Sequence, residues 1–142
     1  MTSIRIGKTM ILLLLIVLAT ACQKSDSTTF DALMDGSVIN KVEFRDGGSG
    51  YLYRTEDKEK IDGLQSLLNS KSYKQVKTPE SYTGYLYSGM INDELGIGFA
   101  MGDLIVKDVY YHIVGGDDQF YGELIKVVEA FGKVAATDGN TP

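Results

Sequence analysis

The sequence predicts an α+β domain: an antiparallel sheet of about five to six strands with two helices packed on one face. Three observations carry that prediction. Stretches of period-two hydrophobicity are separated by short turns such as Asp46-Gly47-Gly48-Ser49-Gly50 and Lys107-Asp108. Two stretches switch to helical spacing, Ile61/Leu64/Leu68 and Phe120/Leu124/Val127/Val128/Phe131. The strands also follow one another too closely for parallel crossovers, which need about a dozen residues or more.

In chain order, Phe30 to Met34 reads either as a helical turn or as the first residues to pack on the domain. Val38, Asn40, Val42 and Phe44 alternate with Ile39, Lys41, Glu43 and Arg45, as a half-buried strand does. The glycine-rich turn returns the chain into Tyr51-Leu52-Tyr53-Arg54, completing a hairpin. Thr55 can cap the next helix, whose first turn holds Glu56, Asp57 and Glu59 where the dipole favours acids; Gly63 weakens it. Lys71 to Lys77 reads as a short edge strand ended by Thr78-Pro79, its alternating lysines guarding the edge. Strands are then predicted at Tyr85–Ile91, 96–101, Leu104–Val106 and Val109–Val114. Gly115-Gly116 stops the sheet, and Asp117 or Asp118 caps the last helix. No repeat at a solenoid period is present.

Ahead of this body stands a leader. Arg5 and Lys8 precede an unbroken apolar run, Met10 to Leu18, and the small residues Ala19-Thr20-Ala21 follow. That is the layout of a secretory signal. The run is about half the roughly 20 residues a membrane span requires, and Gln23, Lys24, Ser25 and Asp26 follow at once. Ala19-Thr20-Ala21 also fits an ordinary A-x-A cleavage site that would release a soluble protein. The chain's only cysteine, Cys22, comes immediately after the triplet.

These residues resemble the lipobox of bacterial lipoprotein precursors. The resemblance implies that the Cys22 thiol receives a diacylglycerol and that a signal peptidase cuts between Ala21 and Cys22. Ala19 departs from the pattern, since leucine is commonest three residues before the cysteine and here Leu18 lies four before. The resemblance covers residues 1–22 and speaks to processing alone. Two or more acyl chains on one cysteine hold a protein at a bilayer, at about 0.8 kcal/mol per buried methylene. The organisation read from the sequence is therefore a signal peptide at 1–21, a lipidated cysteine and tether at 22–35, one α+β domain at 36–134, and a disordered tail at 135–142. The location is a cell membrane, lipid-anchored on the extracytoplasmic side. Gln23 after the cysteine points to the outer membrane in a Gram-negative host and to the outer leaflet of the plasma membrane in a Gram-positive one. The body is also loosely similar, by layout, to small lipoproteins of Gram-positive bacteria.

Loss of residues 1–21 removes Arg5 and Lys8 and no acids, moving the net charge from −5 to −7. That balance argues against nucleic acid, which needs a basic footprint, and against a peripheral grip on anionic lipid. With Cys22 committed no disulfide can form, so the domain depends on packing.

The remaining candidates are weaker. Nine tyrosines and no tryptophan occur. Tyr51 and Tyr53 share one strand face, as do Tyr85 and Tyr87, and such a face can stack on sugar rings or bind peptide. The competing reading is that tyrosine is simply a good half-buried strand former. His112, the only histidine, could join Asp117 or Asp118, or could be an ordinary strand residue. Asp93-Glu94 and Asp117-Asp118 match no calcium loop. Gly96-Ile97-Gly98 lacks the spacing and following helix of a dinucleotide loop, so these glycines read as bulges or close backbone approaches. There is no G-x-S-x-G elbow and no serine three residues before a lysine. No catalytic residue, metal ligand or cofactor is assigned. The leading expectation is a non-catalytic binding or interaction module, taking an envelope protein, a peptide or a glycan. The alternatives are a small envelope hydrolase using carboxylates or His112, and a structural or stress-linked envelope lipoprotein.

Overall fold

The computed structural model describes residues 26–77, 84–100 and 102–134. The leader with Cys22, the Thr78-Pro79 strand end and the tail 135–142 lie outside the described residues. Chain order is β1 (Ser27–Thr28), α1 (Phe30–Leu33), β2 (Val42–Asp46), β3 (Leu52–Thr55), α2 (Lys58–Asn69), β4 (Ser72–Gln75), β5 (Tyr87–Ile91), β6 (Leu95–Ala100), β7 (Asp103–Val106), β8 (Val109–Val114), α3 (Asp118–Glu129) and β9 (Lys133–Val134). The strands form one sheet in the order β1-β4-β8-β7-β6-β5-β2-β3-β9, and every pairing is antiparallel.

The α+β class and the antiparallel pairing agree with the sequence. The strand number does not: nine described strands replace the expected five to six, and a third, short helix is added. Two of the extra strands, β1 and β9, are two residues long, too short for alternation to register. Within the span 22–35 expected to be tether, Ser27–Thr28 pair with β4, and Phe30 and Met34 are buried in the main core. The described part of that stretch is thus docked on the domain. It also covers β4, which is not the sheet edge.

Two further boundaries move for local reasons. The first long strand begins at Val42, not Val38, and Val38 is 73% exposed. Residues 38–41 are instead clamped by the side chain of Asn92. Its Oδ1 accepts from the amides of Asn40 (2.8 Å) and Lys41 (3.1 Å), and its Nδ2 donates to the Val38 carbonyl (2.8 Å). The cap of α2 is Asp57, which accepts from the amides of Glu59 and Lys60, while Thr55 Oγ1 supports it by accepting from Asp57 N. Asp117 caps α3 in the same manner.

That equivalence is general. Hairpin β2–β3, helix α2 and strand β4 match hairpin β7–β8, helix α3 and strand β9. Asp57 matches Asp117, Leu64 matches Leu124 and Leu68 matches Val128, at one constant offset, in helices of 12 residues each. Each closing strand pairs with the hairpin of the other half: β4 with β8, and β9 with β3. The strand order reads the same from both ends about the β5–β6 junction, once β1 is set aside.

One sheet face is the core face. Phe44, Tyr87, Phe99, Leu104 and Ile113 meet Ile61, Leu64 and Leu68 of α2 and Phe120, Leu124 and Val128 of α3 there. Phe44 sits at the centre, with ring centroids 5.8 Å from Phe99, 6.0 Å from Tyr87 and 6.4 Å from Phe131. Full burial of such side chains stabilises by about 1.5–3 kcal/mol each, which is how a domain without a disulfide holds together.

Candidate functional site

Register decides which residues share the opposite face, because directly paired residues point the same way. Gly98, Ile105 and Tyr110 form one row across β6, β7 and β8. Asp103, His112, Lys74 and Ser27 form another across β7, β8, β4 and β1. Among the described residues no helix packs on this face. Its central strand, β6, presents Gly96, Gly98 and Ala100, so the middle of the face is low.

Tyr85, just ahead of β5, lies across that low strip. A Cβ on Gly98 would stand 3.2 Å from Tyr85 Cδ1, so the ring rests on the glycine. Tyr110 is hydrogen-bonded to Tyr85, and this bond, with the neighbouring Tyr85 and Asp108 charges and partial burial, raises the Tyr110 phenol above its ordinary range. Ile105, between them in the row, is only 7% exposed, although among the described residues no helix covers it. Tyr85 itself keeps 47% of its surface in solvent. The result is a fixed aromatic platform with one face wet.

The tyrosine pairs named from the sequence separate here. Tyr53 and Tyr87 are buried in the core in an edge-to-face contact at 6.5 Å. Tyr51 is exposed at the hairpin end, with the Lys133 ammonium 3.8 Å from its ring centroid. Tyr85 has crossed to the other side of the sheet from Tyr87. Alternation broke because Tyr85 precedes the strand and Leu86 is tied to Phe99 and Gly47 by main-chain bonds.

His112 is neither buried alone nor joined to Asp117 or Asp118. Its Nδ1 lies 3.3 Å from Oδ1 of Asp103, a carboxylate only 4% exposed, while the imidazole keeps 59% of its surface. A buried carboxylate needs such a partner to offset its lost hydration. Behind Asp103, Tyr121 Oη accepts from the Gly102 amide at 2.8 Å. Ser27 lies two strands from His112 in the row, roughly 9–10 Å at the usual strand spacing, beyond hydrogen-bond reach. Asp103 escaped the sequence reading, since nothing in the sequence ties it to His112 nine residues later.

Two clefts flank the helices at equivalent places. One of about 480 Å³ is lined by Asn40, Glu56, Lys58, Ile61 and Gln65 together with the clamped segment. The other, about 490 Å³, has Ala100, Gly116, Asp118, Tyr121 and Ile125 in the matching positions and Leu86 beside them. His112 lines neither. Asp117 is held below the usual carboxylate range, chiefly by the Phe120 amide it caps. Among the described residues no group of three potential metal ligands converges, and no helix is long and apolar enough to cross a membrane. Comparison with protein-family models, curated proteins and solved structures found no match to this chain.

Proposed function

We propose that this chain is a lipid-anchored, extracytoplasmic binding module, with Cys22 as the lipidated residue and the sheet face opposite α2 and α3 as its recognition surface. The observation that carries the reading is the Tyr85 ring resting on Gly98 and hydrogen-bonded to Tyr110. Rings held this way present an apolar surface without losing side-chain freedom on binding. The leader supplies the anchor. The docked residues Ser27 and Thr28 leave only 23–26 between Cys22 and the domain, a reach of at most about 15 Å at 3.3–3.6 Å per residue.

The test is retention of cell-envelope material by the purified protein. Wild type retains a ligand, and Tyr85→Ala with Tyr110→Ala releases it without lowering the melting temperature by more than a few degrees. Equal retention by the variant removes the open face from the account. The anchor is tested separately: Cys22→Ser leaves the precursor uncleaved or the product released, and normal processing with membrane retention would sink that half.

A second reading has its own observation. Asp103 holds His112 as a carboxylate–histidine pair with its ring open to solvent, the arrangement that orients a general base. A small envelope hydrolase built on His112 would lose activity on envelope polymers in His112→Ala and keep it in Tyr85→Ala, the reverse of the binding-module pattern.

A further inference from the structure

The two clefts at the helix flanks stand at matching places in the repeat but differ in chemistry. At the constant offset, Asn40 of the first cleft matches Ala100 of the second, and Gln65 matches Ile125. Amide side chains on α2's cleft are thus replaced by a methyl and a branched alkyl group on α3's. Ile61 gives way to Tyr121, and Leu86 joins the wall beside it. Tyr121 is fixed at two points. Its Oη accepts from the Gly102 amide at 2.8 Å, and its ring stands edge-on to Phe120 with centroids 5.3 Å apart. Leu86, Tyr121 and Ile125 are each only partly buried. An apolar wall left partly wet, with its aromatic member already held, gains by shedding water and loses little side-chain freedom when a ligand enters.

We propose that the cleft beside α3 binds a small, uncharged molecule built on aromatic rings, with one ring against Tyr121. The change of lining between the two halves carries the inference, since the same place in the fold is polar in one half and apolar in the other. A fixed tyrosine favours an aromatic ligand over an alkyl chain, because ring pairs add offset or edge-on contacts beyond the area they bury. The acids in the lining do not select a charge. Asp117 is committed to the Phe120 amide at 2.9 Å and faces Lys71, and Asp118 sits in the first turn of α3, where the helix dipole offsets it. The cleft measures about 490 Å³, within the usual range of small-molecule sites. An enclosed apolar cavity of about 150 Å³ takes one benzene, so two or three linked rings fill this one. The inference stands apart from the reading of the open face, since neither Tyr85 nor Tyr110 lines this cleft.

The probe is N-phenyl-1-naphthylamine, an uncharged three-ring compound, titrated into the full-length protein and followed through methyl signals by NMR. The signals of Leu86, Ala100 and Ile125 shift together and saturate along one curve, while those of Ile39 and Ile61 at the first cleft stay in place. Ile125→Gln, which copies Gln65 of the first cleft, weakens binding about tenfold or more and keeps the melting temperature within a few degrees, because Ile125 is only partly buried. Ile125→Trp, which fills the cleft, abolishes binding whether or not the glutamine variant folds well. The sulfonated analogue, 1-anilinonaphthalene-8-sulfonate, binds no more tightly than the neutral probe. Cleft signals that do not move, equal shifts at both clefts, or wild-type affinity in the Ile125→Trp variant overturn the site. Tighter binding of the sulfonate overturns the uncharged ligand class.

Discussion

Asn92→Ala tests how the segment leading into the sheet is held. Asn92 occupies the left-handed region (φ 53) in the β5–β6 turn, and its side chain makes three hydrogen bonds to the main chain of residues 38–41. Each such bond contributes about 0.5–1.5 kcal/mol net. Because two of these are exposed and the third is half-buried, water replaces them in part and the low end applies, roughly 1.5 kcal/mol for the three. Alanine adds about 1 kcal/mol for a left-handed residue that lacks asparagine's local bonding. The expected loss is about 2–3 kcal/mol, or a melting temperature lower by about 10–20 °C for a domain of this size.

Two companions separate the contributions. Asn92→Gly loses the three bonds but tolerates the backbone angle, so it should fall about 1 kcal/mol short of the alanine variant. Asn92→Asp keeps an acceptor for Asn40 and Lys41 and loses only the donor to Val38, so it should cost least. Urea midpoints measured at unchanged m-value give the order. A glycine variant as stable as wild type would show that the clamp does not hold the segment, and no gap between glycine and alanine would show that the left-handed angle carries no cost. Hydrogen exchange at the Asn40 and Lys41 amides should quicken in both the glycine and alanine variants.

Glycines give an opposed pair of expectations: Gly89→Ala should cost more than about 3 kcal/mol, because its Cβ would collide with the Glu43 carbonyl across the β2–β5 ladder. Gly63→Ala, on α2 with nothing near its Cβ, should gain about 0.5–1 kcal/mol; both are read from urea midpoints. Tyr73 Oη donates to the buried Leu68 carbonyl at 2.6 Å, so Tyr73→Phe should cost about 1–2 kcal/mol. Burial raises the Tyr73 phenol strongly and pushes Tyr87 up to about 12. The folded state therefore favours the protonated phenols, and their contribution is whole below the ordinary tyrosine range near pH 10 and is lost as pH rises through the folded values. The phenylalanine variant should lose stability less steeply above about pH 10, and an unchanged alkaline slope would contradict the assignment. At the acid end, Asp46 and Asp117 are held low chiefly by the Ser49 and Phe120 amides respectively. Their contribution is present above the unfolded carboxylate range near pH 4 and is lost as pH falls through their lowered values, so Asp46→Asn with Asp117→Asn should flatten the stability curve below about pH 4.

Elements whose signal is local were legible in the sequence. The hairpin turn at 46–50 could be read because Asp46 itself accepts from the Gly48 and Ser49 amides. The last helix was legible because Phe120, Leu124 and Val128 need only each other's spacing. What escaped depends on partners far along the chain. The start of β2 is set by Asn92, some fifty residues later, and β1 and β9 exist only because β4 and β3 await them. The internal repeat escaped for a related reason. Across 42–73 and 102–133 only Tyr51/Tyr111, Asp57/Asp117 and Leu64/Leu124 are identical at the matching offset, so it is kept by hydrophobic class and capping, not identity. At the candidate site Tyr85 was noticed but set on one face with Tyr87, since strand alternation cannot foresee a residue crossing the sheet just before the strand begins.

The repeat also explains why α2 and α3 lie on the same face of the sheet. Strands β5 and β6 are antiparallel neighbours at the midpoint of the order, and the symmetry axis relating antiparallel neighbours stands normal to the sheet. Rotation about such an axis carries each face onto itself. If one hairpin–helix–strand unit lays its helix on a given face, its counterpart must lay its helix on that same face, and both α2 and α3 do. The other face then receives neither α2 nor α3, by topology and without any sequence signal of its own. At the junction β6 shows Gly96, Gly98 and Ala100 there, none with a side chain larger than a methyl group. Tyr85 settles into that low strip and reaches Tyr110, so the aromatic platform occurs where the symmetry puts the shallowest ground. A bulkier residue at Gly98 should therefore evict Tyr85 while leaving the core face untouched. Gly98→Val should quench the Tyr85–Tyr110 contact, lower the raised Tyr110 titration toward its ordinary range and abolish ligand retention, with only a modest change in urea midpoint. A variant that kept Tyr110 raised would show that the ring does not depend on the glycine floor.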